Sequence, residues 1–310
     1  MGGELSFGLV TTDQSWLTAE LAALDASGFG ALYVVDHPTF PTPDPWTWLA
    51  FAAARTQRVR LGTHVTGAAF HHPARLAKQV ATVDCLSEGR ATLGIGTGYE
   101  PADFEPYGFS MLPFEGRVEL LDETIRILKA LWTQETTSFS GRHYQLEGGA
   151  RFEPKPLQRP HPPIIVGLNR QGGALRIAAE LADGINTWQL GPDQVAALRP
   201  HLEAACERVG RDPASLKLTC DVLLARGADT AAAERLATMV RDMARSWGRK
   251  RSVTEWDAGG VLHGDADGIA EQVIRFRELG VVEIGVVLAR VDEMNWFSER
   301  VIARLAGADS

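Results

Sequence analysis

The hydrophobic and polar positions of this chain alternate between two patterns along its length. Short runs of β-branched and other apolar residues predict strands over residues 5–10, 31–35, 59–65, 91–95, 164–166, 184–187, 216–224 and 282–288. Between these runs, apolar residues recur at spacings of three and four. That spacing predicts amphipathic helices over residues 16–27, 46–56, 73–87, 118–132, 174–181, 195–209 and 269–279, with two more ending near Met243 and Leu305. Strands that are continuously apolar belong to parallel sheets covered on both faces.

This alternation predicts an α/β fold. Eight strands fit a closed (β/α)8 TIM barrel with rim insertions, and a doubly wound open sheet is the alternative. We expect residues 1–310 to form a single barrel domain, because barrels of this kind reach such a length without splitting. Three stretches interrupt the alternation of strands and helices, and we expect them to be insertions, at about residues 96–115, 136–160 and 246–264. Within the second, residues 137–144 alternate around Gly141 and predict a hairpin.

Composition and charge narrow the class of protein. Hydrophobic residues make up 45% of the chain and charged residues 23%, an ordinary mixture that can bury a large core. A formal charge of −8 argues against nucleic acid and anionic membranes as partners. We find neither a signal peptide nor an apolar run of roughly 18 residues that could span a membrane. Cys85, Cys206 and Cys220 are isolated in the sequence and odd in number, so we expect no disulfide framework and a cytoplasmic protein. With the negative charge, this favours a protein that acts on a small molecule.

Candidate chemistry follows the second strand, because barrel enzymes place reactive groups after the C-terminal ends of strands. Asp36 and His37 put a carboxylate and an imidazole at the mouth, where an imidazole can move a proton or polarise a cofactor. We expect Asp36 to fix His37. The alternative is that Asp36 caps a turn and His37 is solvated.

The segment after the third strand is rich in small residues. Thr66, Gly67 and Ala68 offer exposed backbone on which a cofactor ring can lie, and a non-proline cis peptide bond is expected among residues 66–69. The neighbouring His71 and His72 have no partner histidine or carboxylate at ligand spacing, so we expect no metal site.

Glycine-rich turns follow the fourth and fifth strands. Gly96, Thr97 and Gly98 allow close approach to an anion or ring edge, although their spacing is not a dinucleotide fingerprint. Tyr99 and Glu100 then either face a substrate or cover the loop. After the fifth strand, the start of a helix predicts a phosphate site, with the alternative of a merely flexible helix entry. Its candidate residues are Gly167, Arg170, Gly172 and Gly173.

The order of these motifs resembles the bacterial luciferase-like superfamily of flavin- and deazaflavin-dependent barrel oxidoreductases. The resemblance spans about residues 5–186 and, more loosely, 265–305, whereas residues 227–264 match little. The matching segments are Asp36-His37, Pro45-Trp46-Thr47-Trp48-Leu49, Leu61-Gly62-Thr63, residues 72–79, residues 86–90, residues 93–98, Phe139-Ser140-Gly141, Tyr144, Pro162-Pro163-Ile164 and Ala182-Asp183-Gly184.

The resemblance implies a cofactor ring over the barrel mouth. Asp36 and His37 match positions that contact the ring, with His37 in the usual catalytic place. Thr66-Gly67-Ala68 match its supporting bulge, Gly96-Thr97-Gly98 its cofactor loop, and Gly172-Gly173 its phosphate loop. Two departures matter. Many deazaflavin members carry glutamate directly after Gly-x-Gly, where this chain has Tyr99 and then Glu100, which puts a general-acid role for Glu100 in doubt. The phosphate loop usually begins with a glycine pair, but Leu168 follows Gly167 here.

The Gly-Thr-Gly-Tyr-Glu-Pro turn resembles the branch that uses coenzyme F(420) more than the flavin mononucleotide (FMN) branch. The leading hypothesis is an F(420)-dependent oxidoreductase that transfers hydride to or from a small organic substrate. An FMN-dependent two-component monooxygenase, supplied by a separate reductase, and a non-catalytic flavin-binding barrel are the alternatives. A homodimer is implied by the family alone. The substrate is expected among four aromatic residues that are equally consistent with core packing: Trp46, Phe70, Tyr99 and Trp188.

Overall fold

The computed structural model describes residues 5–168, 172–226 and 260–308. Its strands are β1 (Ser6–Thr11), β2 (Ala31–Val34), β3 (Arg60–Thr63), β4 (Thr66–Gly67), β5 (Ala91–Gly96), β6 (Thr137–Ser140), β7 (Gln145–Ala150), β8 (Ile164–Gly167), β9 (Gly184–Trp188), β10 (Lys217–Arg226), β11 (Val261–Gly264) and β12 (Val281–Val287). Eight of them form a ring of parallel neighbours in the order β1, β2, β3, β5, β8, β9, β10 and β12.

The ring is closed. Leu9 of β1 pairs with Leu32 of β2 on one side and with Val286 of β12 on the other, so the first and last strands are neighbours. Closure leaves the barrel strands without a free edge and rules out the doubly wound alternative. The predicted (β/α)8 barrel is therefore confirmed. The predicted hairpin is also present as β6 and β7, and its second strand extends to Ala150.

Helices cover the outside of the ring. Three of them, α2 (Pro45–Ala53), α3 (Pro73–Leu86) and α6 (Pro192–Arg208), begin with a proline, whose missing N–H costs nothing in a first helical turn. No helix in the described ranges is long and apolar enough to cross a membrane. The helices are α1 (Leu21–Ala26), α2 (Pro45–Ala53), α3 (Pro73–Leu86), α4 (Phe114–Thr133), α5 (Gly173–Leu181), α6 (Pro192–Arg208), α7 (Ala266–Glu278), α8 (Val291–Phe297) and α9 (Ala303–Ala308).

The first predicted helix and the last predicted insertion differ from the structure. The first helix begins at Leu21 rather than Trp16, and Thr18 in the preceding turn bonds its hydroxyl to the carbonyl of Gln14. Residues 261–264, expected within an insertion, form β11 and pair in parallel with β10. Residues 246–259 of that insertion and the predicted helix ending near Met243 lie outside the described residues.

The third predicted strand is interrupted. It ends at Thr63, and the short β4 follows after two residues and pairs with β5. A non-proline cis peptide bond joins His64 to Val65, just before the segment in which we expected one. The side chain of His64 is turned into the barrel, where only 1% of it is exposed.

The barrel interior near the C-terminal ends of the strands is polar, although branched apolar side chains usually fill such barrels. His64 Nδ1 lies 3.0 Å and 3.1 Å from the two carboxylate oxygens of Asp221 on β10. Since β3 and β10 are four strands apart in a ring of eight, this contact crosses the barrel. The amide Nδ2 of Asn186 donates to the same carboxylate at 2.8 Å. The ring of Tyr33 stacks on His64 at 3.6 Å, and its hydroxyl donates to Glu283.

Candidate active site

The C-terminal mouth of the barrel holds a histidine paired with a buried carboxylate. His37, which follows β2, places its Nδ1 2.6 Å from Oδ2 of Asp103. Asp103 belongs to a short 3-10 turn that follows β5, and its side chain is 1% exposed. The other oxygen, Oδ1, accepts hydrogen bonds from the backbone N–H and the hydroxyl of Thr39, at 3.1 Å and 2.6 Å. The loops after β2 and β5 are therefore joined through one carboxylate.

These contacts favour the ionised form of Asp103. Burial by itself raises the pKa of Asp103, but the hydrogen bonds from His37 and Thr39 outweigh burial and leave the pKa below its ordinary value. The ring of His37 stacks on Phe40 at 4.6 Å and meets the edge of Tyr99 at 5.7 Å. His37 is therefore a fixed imidazole with 18% of its side chain exposed.

Asp36 has a different partner from the one expected. Its Oδ2 lies 2.8 Å from Nε2 of His71 and accepts the N–H of Gly67 at 3.2 Å. The prediction that Asp36 fixes His37 is therefore wrong: Asp36 contacts His71 and Gly67, whereas His37 contacts Asp103. Burial by itself lowers the pKa of His71. The hydrogen bond and charge of Asp36, with the more distant charge of Asp44, raise the pKa by more than burial lowers it, so the net shift is upward. His71 with Asp36 forms a second acid–imidazole pair at the mouth.

The turns after β3, β5 and β8 meet around Val65. A Cβ on Gly96 would lie 2.9 Å from the Val65 side chain, and one on Gly167 would lie 3.0 Å from it. These two glycines therefore make room for Val65, a role that the sequence did not indicate. On the next turn, Gly67 is covered by the ring of Phe70, at 2.5 Å from the position of a Cβ.

The remaining residues of the β5 turn are partly engaged within the protein. Gly98 has a φ of +68°, a left-handed conformation that suits glycine, and it packs against Phe104. The hydroxyl of Thr97 donates to the carbonyl of Gly98. Glu100 is buried, and its Oε1 accepts the N–H of Ala102, so Glu100 caps the turn Pro101–Asp103. A catalytic role for Glu100 remains a prediction.

The proposed phosphate end lies at the start of α5. Gly172 caps the helix with a φ of +135°, and a Cβ there would meet nothing within 4 Å. Gly173 packs tightly against Val118 of α4. Among the described residues no side chain caps the first turn, and the N–H of Leu175 donates to the carbonyl of Gly172 at 3.1 Å. The N–H groups of Gly173 and Ala174 are therefore the ones left for a ligand at the positive end of the helix dipole. Arg170 lies outside the described residues.

The four aromatic residues proposed for the substrate pocket divide into two groups. Trp46 is 2% exposed and its Nε1 donates to the hydroxyl of Thr66 at 3.1 Å, so it belongs to the core and not to a pocket wall. Tyr99 is 37% exposed beside His37. Phe70 and Trp188 are partly buried at the same end of the barrel. The hydroxyl of Thr66 accepts from Trp46 and donates to the hydroxyl of Thr63 at 2.9 Å, so the backbone of Thr66 is the part left for a ligand.

Asp103 and Thr39 are the residues that sequence reasoning missed. Asp103 is 66 residues from its partner His37, and no spacing rule connects such positions. The available signal was a carboxylate three residues beyond Glu100 in a segment already expected at the mouth. In the described ranges, no group of three or more His, Cys, Asp or Glu side chains is arranged to hold a metal ion.

The mouth fits a ring-and-phosphate ligand. A helix start that no described side chain caps, a partly exposed imidazole and a partly exposed Val65 lie on adjoining turns. Together they supply an anion site, a proton-handling group and an apolar surface. His37 and Asp36 would border the ring, and residues 172–173 would hold the phosphate.

Comparison with known proteins gives a consistent result. A family model described as luciferase-like monooxygenase matches residues 17–283. An F420-dependent glucose-6-phosphate dehydrogenase of Kineococcus radiotolerans is 30% identical over 246 residues, covering 75% of this chain and 71% of the relative. An FMNH(2)-dependent dimethylsulfone monooxygenase of Pseudomonas putida is 38% identical over 116 residues, covering 37% of this chain and 30% of the relative. A solved F420-dependent secondary alcohol dehydrogenase superposes with a TM-score of 0.82 at 18% identity, covering 97% and 99% of the two chains.

Proposed function

Since the chain belongs to the luciferase-like monooxygenase family and is an oxidoreductase of that family, we propose that it binds coenzyme F(420) and transfers hydride between the deazaflavin and a small organic substrate. The observation that carries the proposal is the His37–Asp103 pair at the barrel mouth, 2.6 Å apart and flanked by the turns after β3 and β5. The identity of 30% with an F420-dependent dehydrogenase over three quarters of the chain favours the same cofactor.

Each part of the site has a task in this proposal. A bound deazaflavin supplies the hydride chemistry. His37 would exchange a proton with the substrate oxygen, because an imidazole can both take and give a proton near neutral pH. Asp36, through Gly67 and His71, would hold the turn after β3 in place beside the cofactor. The start of α5 would bind the phosphate.

The second candidate is an FMN-dependent monooxygenase that receives reduced flavin from a separate reductase. The similarity to the dimethylsulfone monooxygenase favours it, although that match covers only 37% of this chain. A flavin-binding barrel without turnover is the third candidate. A carrier needs no proton-handling group, so the fixed imidazole of His37 argues against it.

Cofactor titration separates the F(420)-dependent candidate from the FMN-dependent one, and turnover of a probe substrate separates an enzyme from a barrel that only binds its cofactor. We expect the purified protein to bind F(420) with micromolar or better affinity, followed by fluorescence, and FMN more weakly. Glucose 6-phosphate and 2-propanol are then offered as probe substrates, with F(420) reduction followed by absorbance. Tight binding of FMN alone selects the monooxygenase, and binding of neither cofactor refutes the proposal.

A substitution tests the role of His37. We expect His37→Ala to retain F(420) binding and to lose turnover by about 10²-fold or more, the usual contribution of a general acid–base group. His201→Ala, which changes an exposed histidine on α6, is the matched control and should leave turnover unaltered. Unchanged turnover in His37→Ala would show that His37 has only a structural role.

A further inference from the structure

A carboxylate that holds one nitrogen of an imidazole determines where the proton of that imidazole lies. An ionised carboxylate only accepts hydrogen bonds, so the ring nitrogen facing it must carry hydrogen. Asp103 faces Nδ1 of His37 at 2.6 Å, and the bonds from Thr39 favour its ionised form. In a neutral His37 the proton therefore lies on Nδ1, and Nε2 is the acceptor.

The geometry also limits how His37 can turn. Its ring lies against Phe40 on one face and against the edge of Tyr99, while Nδ1 is bound to Asp103. Nε2 has no hydrogen-bond partner within the described ranges. It is the ring nitrogen left to meet a ligand at the mouth.

Thr39 fixes the carboxylate in turn. Its N–H and its hydroxyl both donate to Oδ1 of Asp103, so Oδ2 is left for His37. Thr39 lies two residues after His37 in the same loop, whereas Asp103 comes from the β5 turn. The arrangement forms only when these two loops dock.

We propose that Asp103 is the positioning residue for His37: it holds the proton on Nδ1, presents an unprotonated Nε2 to the substrate, and stabilises the imidazolium that forms when Nε2 takes a proton. Thr39 orients Asp103 for this task. The proposal rests on the proposed function for its catalytic meaning, but the tautomer itself is a property of the protein without any cofactor.

Long-range ¹H–¹⁵N correlation spectra of the ¹⁵N-labelled full chain test the tautomer directly. The chain has eight histidines, and His37→Ala identifies the signals of His37 by difference. We expect wild-type His37 to show a protonated Nδ1 and an acceptor Nε2. In Asp103→Leu, which removes the acceptor, the tautomer with hydrogen on Nε2 should become the major form.

Three milder variants guard against loss of folding in Asp103→Leu. In Asp103→Asn the amide oxygen accepts from Thr39, so the amide nitrogen faces Nδ1 of His37 and donates to it, and we expect the tautomer with hydrogen on Nε2 to become the major form. Thr39→Val removes the hydroxyl, one of the two donors from Thr39 to Asp103, and should shift the tautomer less, while Thr39→Ser keeps the hydroxyl and should keep the wild-type spectrum. A variant counts as folded when its Tm lies within a few degrees of the wild-type Tm.

Turnover gives the second readout. With F(420) and whichever probe substrate is active, Asp103→Asn should lower kcat by on the order of 10²- to 10⁴-fold, as expected when an imidazole adopts the wrong tautomer. The KM should change by about threefold or less, because Asp103 does not touch the substrate.

The outcomes separate the two proposals. A wild-type His37 with hydrogen on Nε2, or an Nδ1–H tautomer that persists in every folded Asp103 variant, overturns the positioning role. Failure of the wild-type protein to bind F(420) refutes the proposed function and leaves the tautomer result standing.

Discussion

Replacing Asp221 by alanine tests whether the polar contacts inside the barrel stabilise the fold. Asp221 is 1% exposed, and its carboxylate accepts from Nδ1 of His64 and from Nδ2 of Asn186. The carboxylate fills space left by Gly285, where a Cβ would lie 2.0 Å from Oδ1. The alanine variant therefore leaves two buried donors without an acceptor and a small void between β10 and β12.

The magnitude follows from those losses. Each buried donor left unpaired costs about 1–3 kcal/mol, and breaking a buried acid–base pair by removing one partner costs about 3–5 kcal/mol. We expect Asp221→Ala to lower the free energy of unfolding by about 3–5 kcal/mol. For a chain of this size, that corresponds to a fall in Tm of roughly 10 °C. Asp221→Asn keeps the volume but places one donor against another, so it should cost about 1–3 kcal/mol.

Urea unfolding followed by circular dichroism measures the change. Asp193→Ala is the matched control, because this carboxylate is 92% exposed and its ion pair with Arg275 lies on the surface. We expect the control to change stability by less than about 1 kcal/mol. A loss below about 1 kcal/mol in Asp221→Ala, or an equal loss in the control, would show that the contact across the barrel is not a stabilising one.

Three further predictions concern single side chains. The folded-state pKa of His71 is raised by Asp36, so the pair stabilises the fold below the ordinary histidine pKa of about 6.5 and this contribution fades as pH rises through the folded-state value. His71→Gln should therefore lower the unfolding free energy more at pH 6 than at pH 9, and equal losses at both pH values would contradict the pairing. Gly94→Ala would place a Cβ 1.8 Å from the carbonyl oxygen of Thr63, so we expect a loss of more than about 3 kcal/mol in chemical denaturation; a wild-type midpoint would argue against this packing. Burial raises the pKa of the Cys220 thiol to about 12, so we expect no reaction with a disulfide reagent at pH 8 until the protein unfolds, whereas rapid modification of the native protein would show that the thiol is accessible.

The barrel could be predicted from the sequence because its strands and helices depend on local patterns of apolar residues. Apolar runs such as residues 281–287 and helical stripes such as that on α4 repeat with the periods of strand and helix, whatever the rest of the chain does. The end of a strand also indicates where a barrel keeps its chemistry. This local information was enough to direct attention to Asp36, His37 and the glycine turns.

Which side chains contact one another was decided only by the tertiary structure. Sequence proximity suggested that Asp36 supports His37, but adjacent side chains diverge, and the folded chain gives His37 the carboxylate of Asp103 instead. The glycines at 96 and 167 are required by the Val65 side chain, which reaches them from the segment between β3 and β4. His64 meets Asp221 across the barrel, 157 residues away. Periodicity determines which elements form, whereas closing the barrel determines which side chains of distant segments come within hydrogen-bond distance.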